Sequence, residues 1–281
     1  MKSNSKVFHI QTMCTALCVS RAGFYAWRKR PECQRKCDDK RFLAIIKDRF
    51  EKSRKTYGYR RIHNDFLDLK EPCGRNRVAR LMRENNIQPK IKRKFKLTTD
   101  SKHNKPIHNN HLNRQFNAAI PNQRWVSDIT YIPTVEGWLY LAVIMDLYSR
   151  KIIGWSMSDR MKESLVINAL KMALFKRKIN SNVLFHSDRG SQYASDNFQQ
   201  LLRDNRIKCS MSRKGDCWDN AAMESFFHSL KTECIYQEKY LTRNDAKKSV
   251  FDYMEVFYNR QRKHSYLGYQ SPEQYEKAHG F

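Results

Sequence analysis

The sequence predicts an α/β protein: a mixed five-stranded sheet flanked by helices, preceded by an all-α, helix-turn-helix-like region. Apolar residues recur at helical spacing through the first 87 positions, whereas from Asn122 onward short runs rich in Val, Ile, Tyr and Trp alternate with helical stretches. The order of the later runs is β-β-β-α-β-α-β-α. Three strands joined by short turns favour antiparallel pairing, and strands then separated by helices favour a mixed sheet with helices on its faces.

Taken in order, residues 8–29 read as two short helices with a turn near Val19, and Ser20 is the N-cap of the second. Residues 39–55 make a longer amphipathic helix with Phe42, Ile45, Ile46 and Phe50 on one face, and another follows with Ile62, Phe66 and Leu69. After the break Glu71-Pro72-Cys73-Gly74, a third helix turns Val78, Leu81 and Met82 inward and Arg75, Arg77, Arg80 and Arg83 elsewhere. Helix, Gly-containing turn and arginine-rich helix fit a DNA-binding helix-turn-helix; a plain bundle with a solvated basic face fits equally well. Residues 1–87 are thus assigned as a helical DNA-binding region. Residues 88–119 lack apolar periodicity and carry Lys90, Lys92, Arg93, Lys94 and Lys96, a basic linker suited to phosphates. Strands are expected at 125–133, 138–147, 151–157, 182–186 and 207–211, and helices at 163–176, 196–205 and from Asp219 or Asn220, either of which suits an N-cap. Residues 120–240 would form a catalytic core; 241–281 would add an amphipathic helix over 243–258 and a polar, basic tail.

The formal net charge of +26 is unevenly spread: residues 1–120 hold 30 Lys and Arg against 10 Asp and Glu, and residues 121–281 hold 24 against 18. Such an excess points to a polyanionic partner held chiefly by the N-terminal part. No run approaches the roughly 18 apolar residues of a membrane span, and His9, Gln11 and Thr12 interrupt any signal core, so a cytoplasmic location with reduced cysteines is expected. Cys14-x3-Cys18 and Cys33-x3-Cys37 match zinc-ligand gaps, but Cys14 and Cys18 share a helical face with Leu17, which favours small apolar residues there.

Three acidic residues carry the chemistry. Asp128 sits within a strand, where aspartate is depleted; Asp188 ends a parallel-type strand, where ligands bind in such sheets. Glu224 lies one turn into a helix with His228 at i+4 and Lys231 at i+7 on its face. Each has an ordinary alternative: an edge-strand charge, a turn former, a first-turn carboxylate favoured by the helix dipole. Together, inside so basic a chain, they suggest a carboxylate cluster. Close carboxylates raise one another's pKa unless a cation neutralises them, and all-oxygen ligands select Mg²⁺, with Mn²⁺ as substitute, over zinc. Two such ions suit in-line displacement at phosphorus. His228 and Lys231 would be phosphate contacts or members of an ordinary polar face.

These residues resemble the insertion-sequence transposases whose catalytic subunit is the second of two overlapping frames and carries a retroviral-integrase-like core. Residues 125–131, the segment 186–193 reading HSDRGSQY and the segment 212–231 reading SRKGDCWDNAAMESFFHSLK match the family's three carboxylate segments, with 35 residues between Asp188 and Glu224 and a basic Lys231 beyond. The tail from Tyr258 through Pro272, including Arg260, Arg262 and Lys263, matches too. Ser127 and Asp216 stand where the family more often has Thr and Asn. The resemblance implies a ribonuclease H-like fold, Asp128, Asp188 and Glu224 as catalytic metal ligands, and Mg²⁺-dependent cleavage at the ends of a mobile element followed by 3′-hydroxyl strand transfer. It further implies double-stranded DNA partners (terminal inverted repeats and target), homo-oligomers on DNA, frameshift fusion to an upstream-frame protein, and a bacterial, nucleoid-associated setting. Arg75, Arg77, Arg80, Lys92, Arg93, Lys94, Arg260, Arg262 and Lys263 are the remaining candidate DNA contacts. A non-catalytic DNA-binding regulator and a related nuclease without strand transfer are the competing functions.

Overall fold

The computed structural model describes residues 1–90, 108–179, 182–213 and 217–281. Helices α1 (Ile10–Ala16) and α2 (Arg21–Lys29) form the expected N-terminal pair, and the Ser20 hydroxyl accepts a bond from Gly23 N at 2.9 Å, capping α2. α3 (Gln34–Lys52) starts a turn earlier than its apolar periodicity suggests; α4 (Tyr59–Asp68) and α5 (Arg75–Glu84) follow. Phe42, Ile46, Ile62, Phe66, Val78 and Leu81 interlock at the centre of α3–α5. This apolar cluster continues into Val126, Leu141 and Met145 of the sheet and Tyr253, Phe257 and Tyr258 of the C-terminal region. The helical region thus shares one core with the sheet. Tyr57 reinforces the join, donating to Gln261 O at 3.2 Å and accepting from Lys263 N at 2.7 Å.

Among the described residues the sheet has five strands: β1 (Arg124–Thr134), β2 (Gly137–Asp146), β3 (Lys151–Ser158), β4 (Leu184–Ser187) and β5 (Lys208–Met211), ordered β3-β2-β1-β4-β5. The first three form an antiparallel meander; β4 pairs parallel to β1, and β5 parallel to β4. Alternation along β1 sends Val126 and Ile132 to the shared core and Trp125 to a second core under α6 (Glu163–Lys176) and α7 (Asp196–Asp204). Gly154 in β3 lets α6 approach: a Cβ there would lie 2.3 Å from Ala169 O.

α8 (Ala221–Glu233) follows a 3₁₀ turn, Cys217–Asn220, and packs against β1. α9 (Arg243–Phe251) opens with a Thr242/Asp245 capping box and continues as one π-helical stretch, Asp252–Tyr258, filling the expected 243–258 span. The tail departs from expectation. It forms a further helix, α10 (Pro272–Ala278), opened by a Ser271/Gln274 capping box with proline in its first turn. Asn259, buried after the π stretch, bonds the backbone of edge strand β3, Oδ1 accepting from Ile152 N and Nδ2 donating to Ile152 O, both at 2.9 Å. Among the described residues no helix is long and apolar enough to cross a membrane.

Candidate active site

Register brings the two aspartates together. β1 and β4 run parallel with Val126 beside His186, so two residues on, Asp128 and Asp188 leave neighbouring strands at the same level. Asp128 Oδ1 accepts from Ile129 N at 2.7 Å, and Asp188 Oδ1 accepts from Gly190 N at 2.9 Å. A side chain at position 190 would crowd that carboxylate, with a Cβ 3.0 Å from Asp188 Oδ1. Burial first, and then the charge of Asp188, pushes the Asp128 carboxyl well above the usual carboxylate range. Glu224 adds to that rise more weakly, while the Ile129 N–H and Lys231 oppose it. Glu224 projects from the first turn of α8, and its own carboxyl is raised by burial.

The triad is incompletely gathered. Among the described residues no three His, Cys, Asp or Glu side chains stand at the spacing of one metal-ligand set. Asp128 and Asp188 form a charge-coupled pair, with Glu224 at its margin. Cys14, Cys18, Cys33 and Cys37 are free thiols and form no zinc cluster among the described residues.

The surroundings fix this arrangement. On the opposite face of β1, Ser127 Oγ donates to Val143 O at 2.9 Å and shares a 2.8 Å bond with the Tyr193 hydroxyl. Asn220 Nδ2 donates to Ser127 O at 3.2 Å, tying the approach to α8 to the strand beside Asp128. His186 is buried under the second aspartate, its Nδ1 2.8 Å from Ser210 Oγ and Nε2 3.1 Å from Ser212 Oγ. Ser210 Oγ already accepts from His111 N and Leu112 N, which leaves its proton for His186 Nδ1 and puts the imidazole hydrogen on Nε2. Burial lowers this histidine's pKa to about 4.

Asp219, read from the sequence as a possible N-cap, is instead a fully buried hub. One carboxylate oxygen accepts from Arg114 Nε (3.1 Å) and an Arg213 terminal nitrogen (2.8 Å); the other accepts from Asn110 Nδ2 (2.8 Å), Arg213 N (2.9 Å) and Arg213 Nε (3.1 Å). These donors, Arg213 foremost, hold its carboxyl below the usual carboxylate range. The sequence offered no local signal for this, since Asn110 and Arg114 lie over a hundred residues away.

The basic candidates divide. Arg75 and His228 are exposed, as is Arg260, whose Nε lies 3.6 Å from Glu273. Arg77 and Arg80 grip opposite oxygens of Asp39 at 2.7 and 2.8 Å, closing α5 onto α3. Arg262 and Lys263 depart from the expectation of surface DNA contacts: both are buried in ion pairs, Arg262 with Glu233 (2.6 Å) and Lys263 with Asp65 (2.7 Å) and Asp68 (2.5 Å), so neither stands on the outer surface. Lys231 is also buried, its Nζ 5.2 Å from the centre of the Tyr131 ring; burial takes its pKa down to about 8 against the pull of Asp128. It belongs to the interior of the site. Lys92, Arg93, Lys94 and Asp216 lie outside the described residues.

Comparison with known proteins accounts for nearly the whole chain. Residues 36–95 match an HTH-like domain, and residues 118–217 and 224–279 match two integrase core domain models. The transposase InsF for insertion sequence IS3A of Escherichia coli (strain K12) is 43% identical over 276 residues, covering 96% of this chain and 94% of that one. An uncharacterised 31 kDa protein of insertion element IS600 from Shigella sonnei is 43% identical over 95% of this chain and 98% of its own length. Among solved structures, the HTLV-2 integrase catalytic core domain in complex with magnesium overlaps 56% of this chain and 97% of its own, with 18% identity and a TM-score of 0.43. With an integrase core, a helix-turn-helix-like segment and near-full-length identity to InsF, the chain belongs to the IS3 family of insertion-sequence transposases.

Proposed function

We propose that this transposase cuts DNA at the ends of its element and joins the freed 3′ hydroxyls to target DNA at a site made by Asp128, Asp188 and Glu224. The observation carrying this reading is the β1–β4 register that sets the two aspartates level, with the Asp128 carboxyl raised by burial and by its neighbour's charge. A partly buried, like-charged pair of that kind favours a bound cation.

The donors fit a hard divalent ion: all are carboxylate oxygens, and the backbone N–H groups of Ile129 and Gly190 engage Oδ1 of Asp128 and Asp188. Asp128 and Asp188 would hold the metal, Mg²⁺ or Mn²⁺, with Glu224 completing the set from α8. Two such ions would lower the pKa of the attacking oxygen and offset charge on the leaving oxygen. The protein's own residues fix where this happens. Ile129 N–H and Gly190 N–H orient the aspartates, Asn220 holds the start of α8 against β1, and Lys231 adds positive charge beside Asp128. Strand transfer then exchanges one phosphodiester for another, so no nucleotide cofactor is consumed. Double-stranded DNA is the partner, both as terminal inverted repeats and as target. Arg75, Arg260, His228 and the basic segment with Lys92, Arg93 and Lys94 supply phosphate contacts. Paired ends call for a homo-oligomer on DNA, an upstream-frame protein fused by frameshifting would contribute end recognition, and the setting is the bacterial nucleoid in the cytoplasm.

Incubating the protein with oligonucleotides carrying the element's ends, target duplex and Mg²⁺ tests this. Nicking at the ends followed by strand joining is expected. Nicking without joining would identify a nuclease, and DNA binding without either reaction a regulator.

A further inference from the structure

Away from the carboxylates, a cavity of about 370 Å³ opens between α4, the far side of α8 and the C-terminal tail. Three guanidinium groups from distant parts of the chain line it: Arg61 of α4, Arg150 of the β2–β3 turn and Arg262 of the tail. One carboxylate, Glu233, answers two of them, 2.6 Å from Arg262 and 3.9 Å from Arg61. Arg150 has no carboxylate partner among the described residues. It lies over the Tyr266 ring at 4.3 Å, one terminal nitrogen donates to Phe116 O at 3.4 Å, and its buried Nε has no hydrogen-bond partner among the described residues. The Nε2 of His264, another wall residue, is likewise buried and has no partner among the described residues. Aromatic rings complete the wall, including Phe226, Tyr258 and Tyr266, and Ser225 and Ser229 add hydroxyls.

We propose that this cavity is a second DNA site, which takes one unstacked nucleotide of the bound strand, its phosphate on Arg150 and Arg61 and its base against the aromatic wall. The inference rests on the chain acting on DNA. Excess guanidinium charge and the unsatisfied Arg150 Nε–H call for an anion, and the planar fork of arginine matches phosphate. A bare phosphate would leave most of the volume empty, whereas a nucleotide adds a flat base that stacks on aromatic side chains. Burial and the charges of Arg262, Arg61 and Arg150 hold His264 well below the ordinary histidine range, so these three groups converge on one spot. Ser225, on the cavity wall, directly follows Glu224 on α8. A helix is about 10 Å across, so the held nucleotide would belong to the same DNA as the scissile phosphate. Unstacking costs least at a strand end or overhang.

The test measures binding of the full-length protein to a fluorescent duplex with a two-nucleotide overhang and to its blunt counterpart, across a salt series without metal. Arg150→Gln is expected to weaken overhang binding about tenfold and to lower the salt slope by about one phosphate contact. Tyr266→Leu is expected to weaken overhang binding while sparing the blunt duplex. Arg203→Gln, on the exposed face of α7, serves as the charge control. Thermal melting establishes that each variant folds; should Arg150→Gln not fold, Arg150→Lys, which keeps charge but loses the fork, is expected to bind at an intermediate level. Thymidine 5′-monophosphate should compete for the overhang better than inorganic phosphate. Equal competition by the two, or Arg150 variants indistinguishable from the Arg203 control, would overturn the proposal. Wild-type protein that bound neither duplex would overturn the DNA-acting function as well, whereas a silent Arg150 in a DNA-binding chain removes this site alone.

Discussion

Asp219→Asn isolates the contact that fixes the approach to α8. The wild-type carboxylate is fully buried and accepts five hydrogen bonds from Asn110, Arg114 and Arg213. An amide turns one of its two acceptor atoms into a donor that faces donors. Removing one partner of a buried ion pair costs about 3–5 kcal/mol. Here the Arg114 and Arg213 side chains are 47% and 49% exposed and can turn to water, so the expected loss is smaller, about 2–3 kcal/mol. Urea unfolding at pH 7 reads it as a lower midpoint at unchanged slope. Because the aspartate's folded pKa is depressed, its stabilisation is complete above the unfolded value near 3.8 and is lost as pH falls below that value. Wild type and variant should therefore converge in acid. Metal-dependent nicking should fall further than the folded fraction does, since α8 carries Glu224. A destabilisation below about 0.5 kcal/mol, the range of ordinary surface changes, would refute the role given to this hub.

Three further outcomes are expected. Glu224→Gln should abolish nicking, a loss beyond the roughly 10–100-fold cost of an outer-shell partner, while leaving DNA affinity unchanged; equal loss of both, read by gel shift and cleavage assay, would contradict its role as a metal ligand. Gly154→Ala should destabilise by about 1–3 kcal/mol, because the new Cβ meets the immobile Ala169 carbonyl at 2.3 Å; an unchanged melting temperature would refute the β3–α6 packing. His186, with a folded pKa of about 4 against an ordinary 6.5, should remain neutral at pH 5 by NMR. Because the unfolded chain takes up this proton first, the residue's contribution is present above about pH 6.5 and falls by roughly 3 kcal/mol as pH drops to 4; a titration midpoint above 6 would show that the imidazole is not sealed between Ser210 and Ser212.

What could be read from the chain depended on how local the cause was. Helix α6 has the expected ends because its apolar spacing runs the full length, and Ser20 caps α2 because capping spans three residues. Helix α3 began early because its first turn, from Gln34, carries no apolar signal. Helix α10 did have a local signature, Ser271-Pro272 with Gln274, hidden in a stretch that reads as polar tail. The aspartates were legible as misfits, one within a strand and one at a strand end, and the parallel register then joined them. Charge alone misled at Arg262 and Lys263, since nothing near them foretells Glu233, Asp65 or Asp68. The guanidinium cavity was invisible for the same reason: its walls come from helix, turn and tail.

The buried Asn259 side chain mimics a sixth strand for a single residue, engaging an amide and a carbonyl that β3, with no strand beyond it among the described residues, would otherwise offer to any passing extended peptide. Synthesis reaches that seal only after all five strands have been made. A message cut short before codon 259 would therefore yield a sticky ribbon inclined to aggregate with its siblings.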